Sequence, residues 1–276
     1  MRGMREYIFS LALLVCICVG GAYALRGSDR VAQARSLAKT NNLVAMHAST
    51  TSVRVPIFIY HSVHPDFEGE TKNQKSFSVT PLILEAQFRY LYDHGYTVVS
   101  LDDLERFVAL GTTLVPKPVV LTFDDGWKSE YTYAFPLLKK YGFTATFFVF
   151  TNPIGKDSRF MTWEDVQELD AAGMTIGNHT LSHPYLTKLS LEEERKEVVQ
   201  SKKVLEEKLG KSVTHFASPF GQSSDQLVAL LKEAGFTTGR TTFWGAMHSK
   251  DDLLHLSGYL VERDIKRFMW VLEKAQ

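Results

Sequence analysis

The sequence predicts an α/β protein, a distorted (β/α) barrel with about seven parallel strands. Three observations lead there. From Val53 onward, short β-branched or aromatic runs alternate with longer amphipathic stretches, the pattern of repeated βα units. Two of the runs, Val119-Val120-Leu121 and Ala145-Thr146-Phe147-Phe148-Val149-Phe150, are apolar almost throughout, as strands covered on both faces are. Polar clusters then follow several strand ends, where barrel enzymes gather their chemistry. That last feature favours a closed barrel over an open, doubly wound sheet.

In order, Ile57–Tyr60 is the first strand, and helix Pro81–His94 follows with Leu82, Leu84, Phe88, Leu91 and Tyr92 as its buried side. Strand Thr97–Ser100 leads into helix Leu101–Leu110, and strand Val119–Phe123 into helix Ser129–Tyr141. Strand Ala145–Phe150 precedes helix Thr162–Ala172, and strand Thr175–Gly177 precedes helix Leu191–Leu209. Strand His215–Ser218, helix Ser224–Ala234, a short strand near Phe236–Thr238, strand Gly258–Val261 and helix Asp264–Lys274 complete the set. Gly142 and Gly210 fall just past helix ends, where a left-handed residue is wanted.

The 276 residues carry 31 Lys+Arg against 31 Asp+Glu, with 45% hydrophobic and 22% charged residues. This composition argues against disorder and supplies no basic excess to hold nucleic acid by its phosphates. Both cysteines, Cys16 and Cys18, lie near the N-terminus, so a disulfide scaffold is excluded. Arg2 and Arg5 lead into an apolar run from Tyr7 to Leu25 that contains Ala22-Tyr23-Ala24. A basic flank, an apolar run and a small-x-small site have the form of a secretory signal, and the run is also long enough to stay as a membrane anchor. The expected organisation is residues 1–25 as signal peptide or signal anchor, 26–52 as linker, and 53–276 as the folded domain. On that reading the domain is exported to the periplasm or cell exterior, with residues 7–25 meeting the membrane if they are not cut.

Strand Val119–Phe123 runs into Asp124-Asp125-Gly126-Trp127. Two adjacent carboxylates at a buried strand end are costly unless a cation or a proton shares them. Taken alone the tetrapeptide reads equally well as a helix N-cap and turn. Strand Thr175–Gly177 ends in Asn178-His179-Thr180-Leu181-Ser182-His183-Pro184. Histidines at i and i+4 on one side of a helical turn can reach a single ion. Two histidines and one carboxylate form a facial triad that leaves coordination positions open, so the two clusters together favour a metal site. After the strand His215–Ser218, Ser218-Pro219-Phe220-Gly221 makes a rigid turn whose backbone N–H groups can face a pocket. His61 ends the first strand and falls on the same barrel rim.

Thr122-Phe-Asp-Asp-Gly126, His179-x-x-Ser-His183 and Ser218-Pro-Phe-Gly221, in this order, resemble the first three motifs of the polysaccharide deacetylase (NodB-homology) family. The resemblance covers about Val55 to the C-terminus. It implies a barrel that uses a divalent metal to remove acetyl groups, usually from N-acetylglucosamine units of a polysaccharide. It implies Asp124 as general base, Asp125, His179 and His183 as metal ligands, and the turn Pro219, Phe220 and Gly221 as oxyanion and substrate site. Ile59-Tyr60-His61, followed by Gly95-Tyr96-Thr97-Val98-Val99-Ser100-Leu101, places at the start of the domain a run that many members carry last. This is similar to a circularly permuted subgroup that includes deacetylases of poly-β-1,6-N-acetylglucosamine, and it makes His61 the candidate general acid. A competing Leu-Leu-His at Leu253–His255 ranks second. Two departures stand out. Many members carry an arginine where this chain has Ala217, and the fourth motif is represented only by Phe243-Trp244-Gly245 without its aspartates.

The ligand set suits Zn²⁺ and also admits Co²⁺, Ni²⁺ or Mn²⁺. Trp127, Tyr185 and Trp244 are candidates to stack on sugar rings, and equally candidates for core packing. Two other readings remain at this level: an O-deacetylase acting on an ester-bearing glycan, and a membrane-tethered glycan-binding module without turnover. A phosphatase reading of Asp124-Asp125-Gly126 fails, because that chemistry uses an Asp-x-Asp spacing.

Overall fold

The computed structural model describes residues 52–111 and 115–275; the expected signal or anchor segment and the linker up to residue 51 lie outside the described residues. Seven parallel strands curl into a barrel-like sheet: β1 (Ile57–Tyr60), β2 (Pro118–Asp125), β3 (Thr146–Val149), β4 (Thr175–Asn178), β5 (His215–Ala217), β6 (Thr238–Arg240) and β7 (Tyr259–Leu260). Their spatial order follows the chain from β1 to β6, and β7 returns to pair with β1. The joint between β6 and β7 is slight. It consists of the bridge Arg240↔Leu256, with Leu256 N–H donating to Gly239 O (2.7 Å) and Thr241 N–H to Leu256 O (2.9 Å). A short strand, Thr97–Val98, pairs with the start of β2.

Strand alternation sorts the two faces of the sheet. Tyr60, Phe123 and Phe147 are register partners on β1, β2 and β3, and their rings stack at 5.0 Å for each neighbouring pair. Tyr60 also meets Phe88 edge-on, so this ladder faces the helical layer. Its neighbours Thr122 and Asp124 therefore point to the opposite face. β2 extends through Asp124 and Asp125, past the expected end at Phe123, because both pair with β3 at Phe148 and Val149.

Seven helices form the outer layer: α1 (Pro81–Asp93), α2 (Leu101–Leu110), α3 (Phe135–Tyr141), α4 (Trp163–Ala171), α5 (Leu191–Leu209), α6 (Asp225–Glu233) and α7 (Ile265–Lys274). Ser100, Thr162 and Ser190 open α2, α4 and α5 with reciprocal capping boxes. The left-handed Gly142 and Gly210 close α3 and α5. On α1 the buried side is Leu84, Gln87, Phe88 and Leu91. The expected Leu82 and Tyr92 are exposed, since helical spacing turns them off that stripe. The buried Gln87 accepts from Tyr60 Oη at 3.1 Å, which accounts for a polar residue there.

Three further differences have local causes. Helix Ser129–Tyr141 begins as a π-turn, Glu130–Ala134, in which Phe135 N–H reaches back to Glu130 O. Pro136 has no N–H to continue an α ladder at that point. β6 begins at Thr238, because left-handed Gly235 and the Phe236 N–H to Leu231 O bond (2.9 Å) still belong to the close of α6. Residues 61–80, which carry no clear periodicity, form a projecting loop. Ser62–Val63 pairs with Ser78–Val79 at its neck, and a short helix, Lys72–Ser76, lies within it.

Candidate active site

The end of β2 turns sharply. Asp125 takes a positive φ (84°), a rare and strained state for a residue with a side chain, and Gly126 follows at 79°. A side chain at position 126 would bring its Cβ within 2.9 Å of Val149 Cγ1, so glycine is required. The turn sends the two carboxylates to different partners. Asp125 Oδ1 lies 3.6 Å from His179 Nε2 and 3.3 Å from His183 Nε2, and its Oδ2 accepts from Trp127 Nε1 at 2.9 Å. Trp127, stacked on Phe160 at 4.4 Å, thus orients the carboxylate as well as lining the cleft.

His179 is buried, and its Nδ1 lies 2.7 Å from Ala217 O. A carbonyl oxygen only accepts, so the proton sits on Nδ1 and the Nε2 lone pair points at Asp125. His183 is lowered to about 4, chiefly by burial and then by His179, and stays neutral. One carboxylate oxygen and two imidazole nitrogens therefore converge within 4.8 Å of one another. This donor set, with Asp125 and His179 each held by an outer hydrogen-bond partner, fits a divalent cation.

The loop carrying the histidines is not the helical turn that their spacing suggests. Thr180 and His183 both have positive φ (74° and 60°), and Pro184 disfavours a helical conformation at His183. The strained path is fixed by α5. Glu197 accepts from Leu181 N–H and Ser182 N–H (both 2.9 Å) and from Ser182 Oγ (2.7 Å). Asn178 Oδ1 accepts from Thr180 N–H (2.7 Å) and Ser201 Oγ (2.9 Å), and Thr180 Oγ1 accepts from His183 N–H (3.0 Å).

Asp124, 2% exposed, is ion-paired through Oδ2 with the fully buried Arg240. Sequence reasoning missed Arg240. Ala217, the position where many family members carry arginine, is its register partner on the adjacent strand. The guanidinium lies over Phe148 (5.4 Å) and reaches the carboxylate from one strand further round the rim. His61 Nε2 stands 3.9 Å from Asp124 Oδ2. The other carboxylate oxygen, Oδ1, is buried without a protein partner among the described residues, as is Ser218 Oγ. Glu130, behind this cluster and likewise unpartnered, is pushed well above the carboxylate range by burial and by Asp125 and Asp124, so it adds no charge.

The Pro219–Gly221 turn places Phe220 in the left-handed region (58°). Its ring packs flat on Tyr185 at 3.8 Å and edge-on to His183 at 4.7 Å. Gly221 N–H already donates to Ser218 O (2.9 Å). A cleft of about 950 Å³ joins His61, Asp124, Asp125, His179, His183 and Phe220. His255 lies outside it, exposed beside Phe243, and Trp244 packs on Tyr259 away from the cleft.

The barrel-rim cleft thus brings together a cation-ready triad and a buried acid–arginine pair. Residues 112–239, a little under half of the chain, match the family model for polysaccharide deacetylase. YxkH of Bacillus subtilis, which carries the polysaccharide deacetylase name, is 29% identical over 193 residues, covering 70% of this chain and 66% of its own length. The poly-β-1,6-N-acetyl-D-glucosamine N-deacetylase of Staphylococcus aureus is 24% identical over 254 residues, covering 87% of this chain and 86% of its own. Among solved structures, the Streptococcus pyogenes deacetylase PplD in complex with acetate superposes with a TM-score of 0.73 at 26% identity, covering 80% of this chain and 99% of that one.

Proposed function

We propose that this chain removes N-acetyl groups from N-acetylglucosamine units of a polysaccharide by hydrolysis assisted by one divalent metal, Zn²⁺ or a close substitute. The convergence of Asp125, His179 and His183 next to an Asp124 oxygen with no protein partner carries the reading. The polymer named for the Staphylococcus aureus relative supports the substrate class. A cation held by the triad supplies Lewis acidity, which polarises the acetyl carbonyl and makes a water more acidic.

The remaining work falls to the chain's own groups. Asp124 Oδ1 accepts a proton from the attacking water, whose oxygen bonds to the acetyl carbon. Arg240 holds Oδ2, which leaves Oδ1 without a protein partner and able to take the proton. Phe220 N–H is the backbone donor for the oxyanion, since proline has no N–H and that of Gly221 is already used. His61 gives a proton to the departing nitrogen as the C–N bond breaks, which amide cleavage requires. Acetate and a free amine result. The arrangement suits an exported protein acting on an extracellular polymer, with residues 1–25 as its signal or anchor.

The test is acetate release by the full chain from β-1,6- and β-1,4-linked N-acetylglucosamine oligomers, after chelation and after restoring Zn²⁺, Co²⁺ or Ni²⁺. Release that stops on chelation and returns with metal is expected, faster on the β-1,6 linkage. A metal-loaded protein that frees no acetate from either oligomer would reject the proposal.

A further inference from the structure

One wall of the cleft comes from the 61–80 loop between β1 and α1. Most of that loop lies outside the catalytic motifs, yet it is a firmly built surface. Its neck is the Ser62–Val63 and Ser78–Val79 ribbon, tied to the π-turn by Ser129 Oγ, which bonds Ser62 Oγ at 3.2 Å and accepts from Val63 N–H at 3.3 Å. Its outer half is clamped by Arg263, from the segment between β7 and α7. That guanidinium ion-pairs with Glu70 and Asp66, and donates to Ser78 Oγ (2.6 Å) and Ser78 O (3.3 Å). The Glu70 side chain is 1% exposed, so the clamp is internal to the loop rather than a loose surface pair.

What the clamp presents to the cleft is specific in character. Phe67 and Phe77 line it while 50% and 43% exposed, an unusual position for rings that have core available to them. Phe67 lies against His64 (5.3 Å), and Phe77 sits edge-on to His61 (5.4 Å). Between them in sequence, Asn73 brings a side-chain amide to the same wall, beside Gln74, whose Oε1 already accepts from Thr71 N–H (2.9 Å). Flat apolar faces flanked by amide donors and acceptors match a pyranose ring, which has an apolar C–H face and a rim of hydroxyls. An acetyl group alone needs neither.

We infer that residues 61–79 form a sugar subsite, next to the metal triad, for the saccharide unit adjoining the one that loses its acetyl. The inference rests on the glycan deacetylase reading above and adds that the enzyme recognises at least two linked units. Phe67 and Phe77 stack on the neighbouring ring, and the Asn73 amide reads its hydroxyls. The Arg263 clamp holds this wall in place before the glycan arrives, so little ordering cost is left to binding.

The test compares N-acetylglucosamine with its β-1,6-linked pentamer, using the full metal-loaded chain. The ratio of kcat/KM for pentamer over monomer, and the pentamer affinity by calorimetry, are measured for the unaltered protein, Phe67→Ala, Phe77→Ala and Asn73→Ala. Tyr92→Ala, an exposed aromatic away from the cleft, is the control. Each phenylalanine variant is expected to lower both the ratio and the affinity about ten-fold, with Asn73→Ala smaller and Tyr92→Ala without effect. Ratios and affinities equal to those of the unaltered protein in both phenylalanine variants would overturn the subsite. If the unaltered protein releases no acetate from either substrate, the deacetylase reading fails separately. Calorimetry then decides alone, with weakened pentamer binding upholding the subsite and unchanged binding rejecting it.

Discussion

The two rims of the barrel each hold histidine beside aspartate, and they use the pair in opposite ways. At the N-terminal rim, His215 bonds Thr238 Oγ1 through Nδ1 (2.8 Å) and Asp102 Oδ1 through Nε2 (3.1 Å). Both ring nitrogens are spent inside the protein. At the C-terminal rim, His179 spends only Nδ1, on Ala217 O, and turns its other lone pair toward a carboxylate oxygen 3.6 Å away. Lone pairs that converge without a proton between them repel, and a cation removes the repulsion. The same residue types are thus structural when their bonds close on one another and functional when they are left pointing at a common centre.

The largest effect should come from breaking the upper cluster. His183→Ala is expected to lose bound metal on dialysis, read by elemental analysis, and to lose acetate release with it. A metal-replete, active variant would erase the contrast. Next, Asp124→Asn should keep the metal while kcat falls about 10²–10⁴-fold, the usual worth of a general base. Glu197→Gln tests whether the strained histidine loop needs its carboxylate. Metal affinity by chelator competition should weaken about 10–100-fold, with the folded state retained.

The lower rim sharpens the comparison from the other side. His215→Ala leaves buried Thr238 without its partner, so denaturant unfolding should show a loss of about 1–3 kcal/mol, with metal affinity unchanged. His248, near the same rim, has its pKa lowered from 6.5 to about 4, first by burial and against the opposing bond from Nε2 to Val55 O. The unfolded chain therefore takes the proton first as pH falls. This contribution to stability is complete above about pH 6.5 and is lost toward pH 4, at a slope of at most about 1.4 kcal/mol per pH unit. Unfolding of His248→Asn across that range should lack this component.

Much of this was legible from residue order. Buried strands show as unbroken apolar runs, and strand-end clusters such as Asp124-Asp125 and His179 with His183 declare themselves because their chemistry is local in sequence. Arg240 did not, for the converse reason. A single arginine at the end of a three-residue strand has no motif of its own, and only the register of β6 against β5 brings it to Asp124. The 61–80 loop was opaque as well, since a surface held by the long-range Arg263 clamp needs no periodicity. Leu82 and Tyr92 misled because apolar residues counted on a helix do not all fall on the stripe that packs.

The pairing of Arg240 with Ala217 has one more consequence. In a ring of parallel strands, positions at one height are set by angle around the axis, and a long side chain can answer for its neighbour. An arginine at 217 with a small residue at 240, or the reverse, are two spellings of the same charge at the same place. Motif searches that demand the arginine in a fixed column would score such a chain as crippled. Substitutions at these two columns should instead be read jointly, as a single trait that has moved one strand sideways.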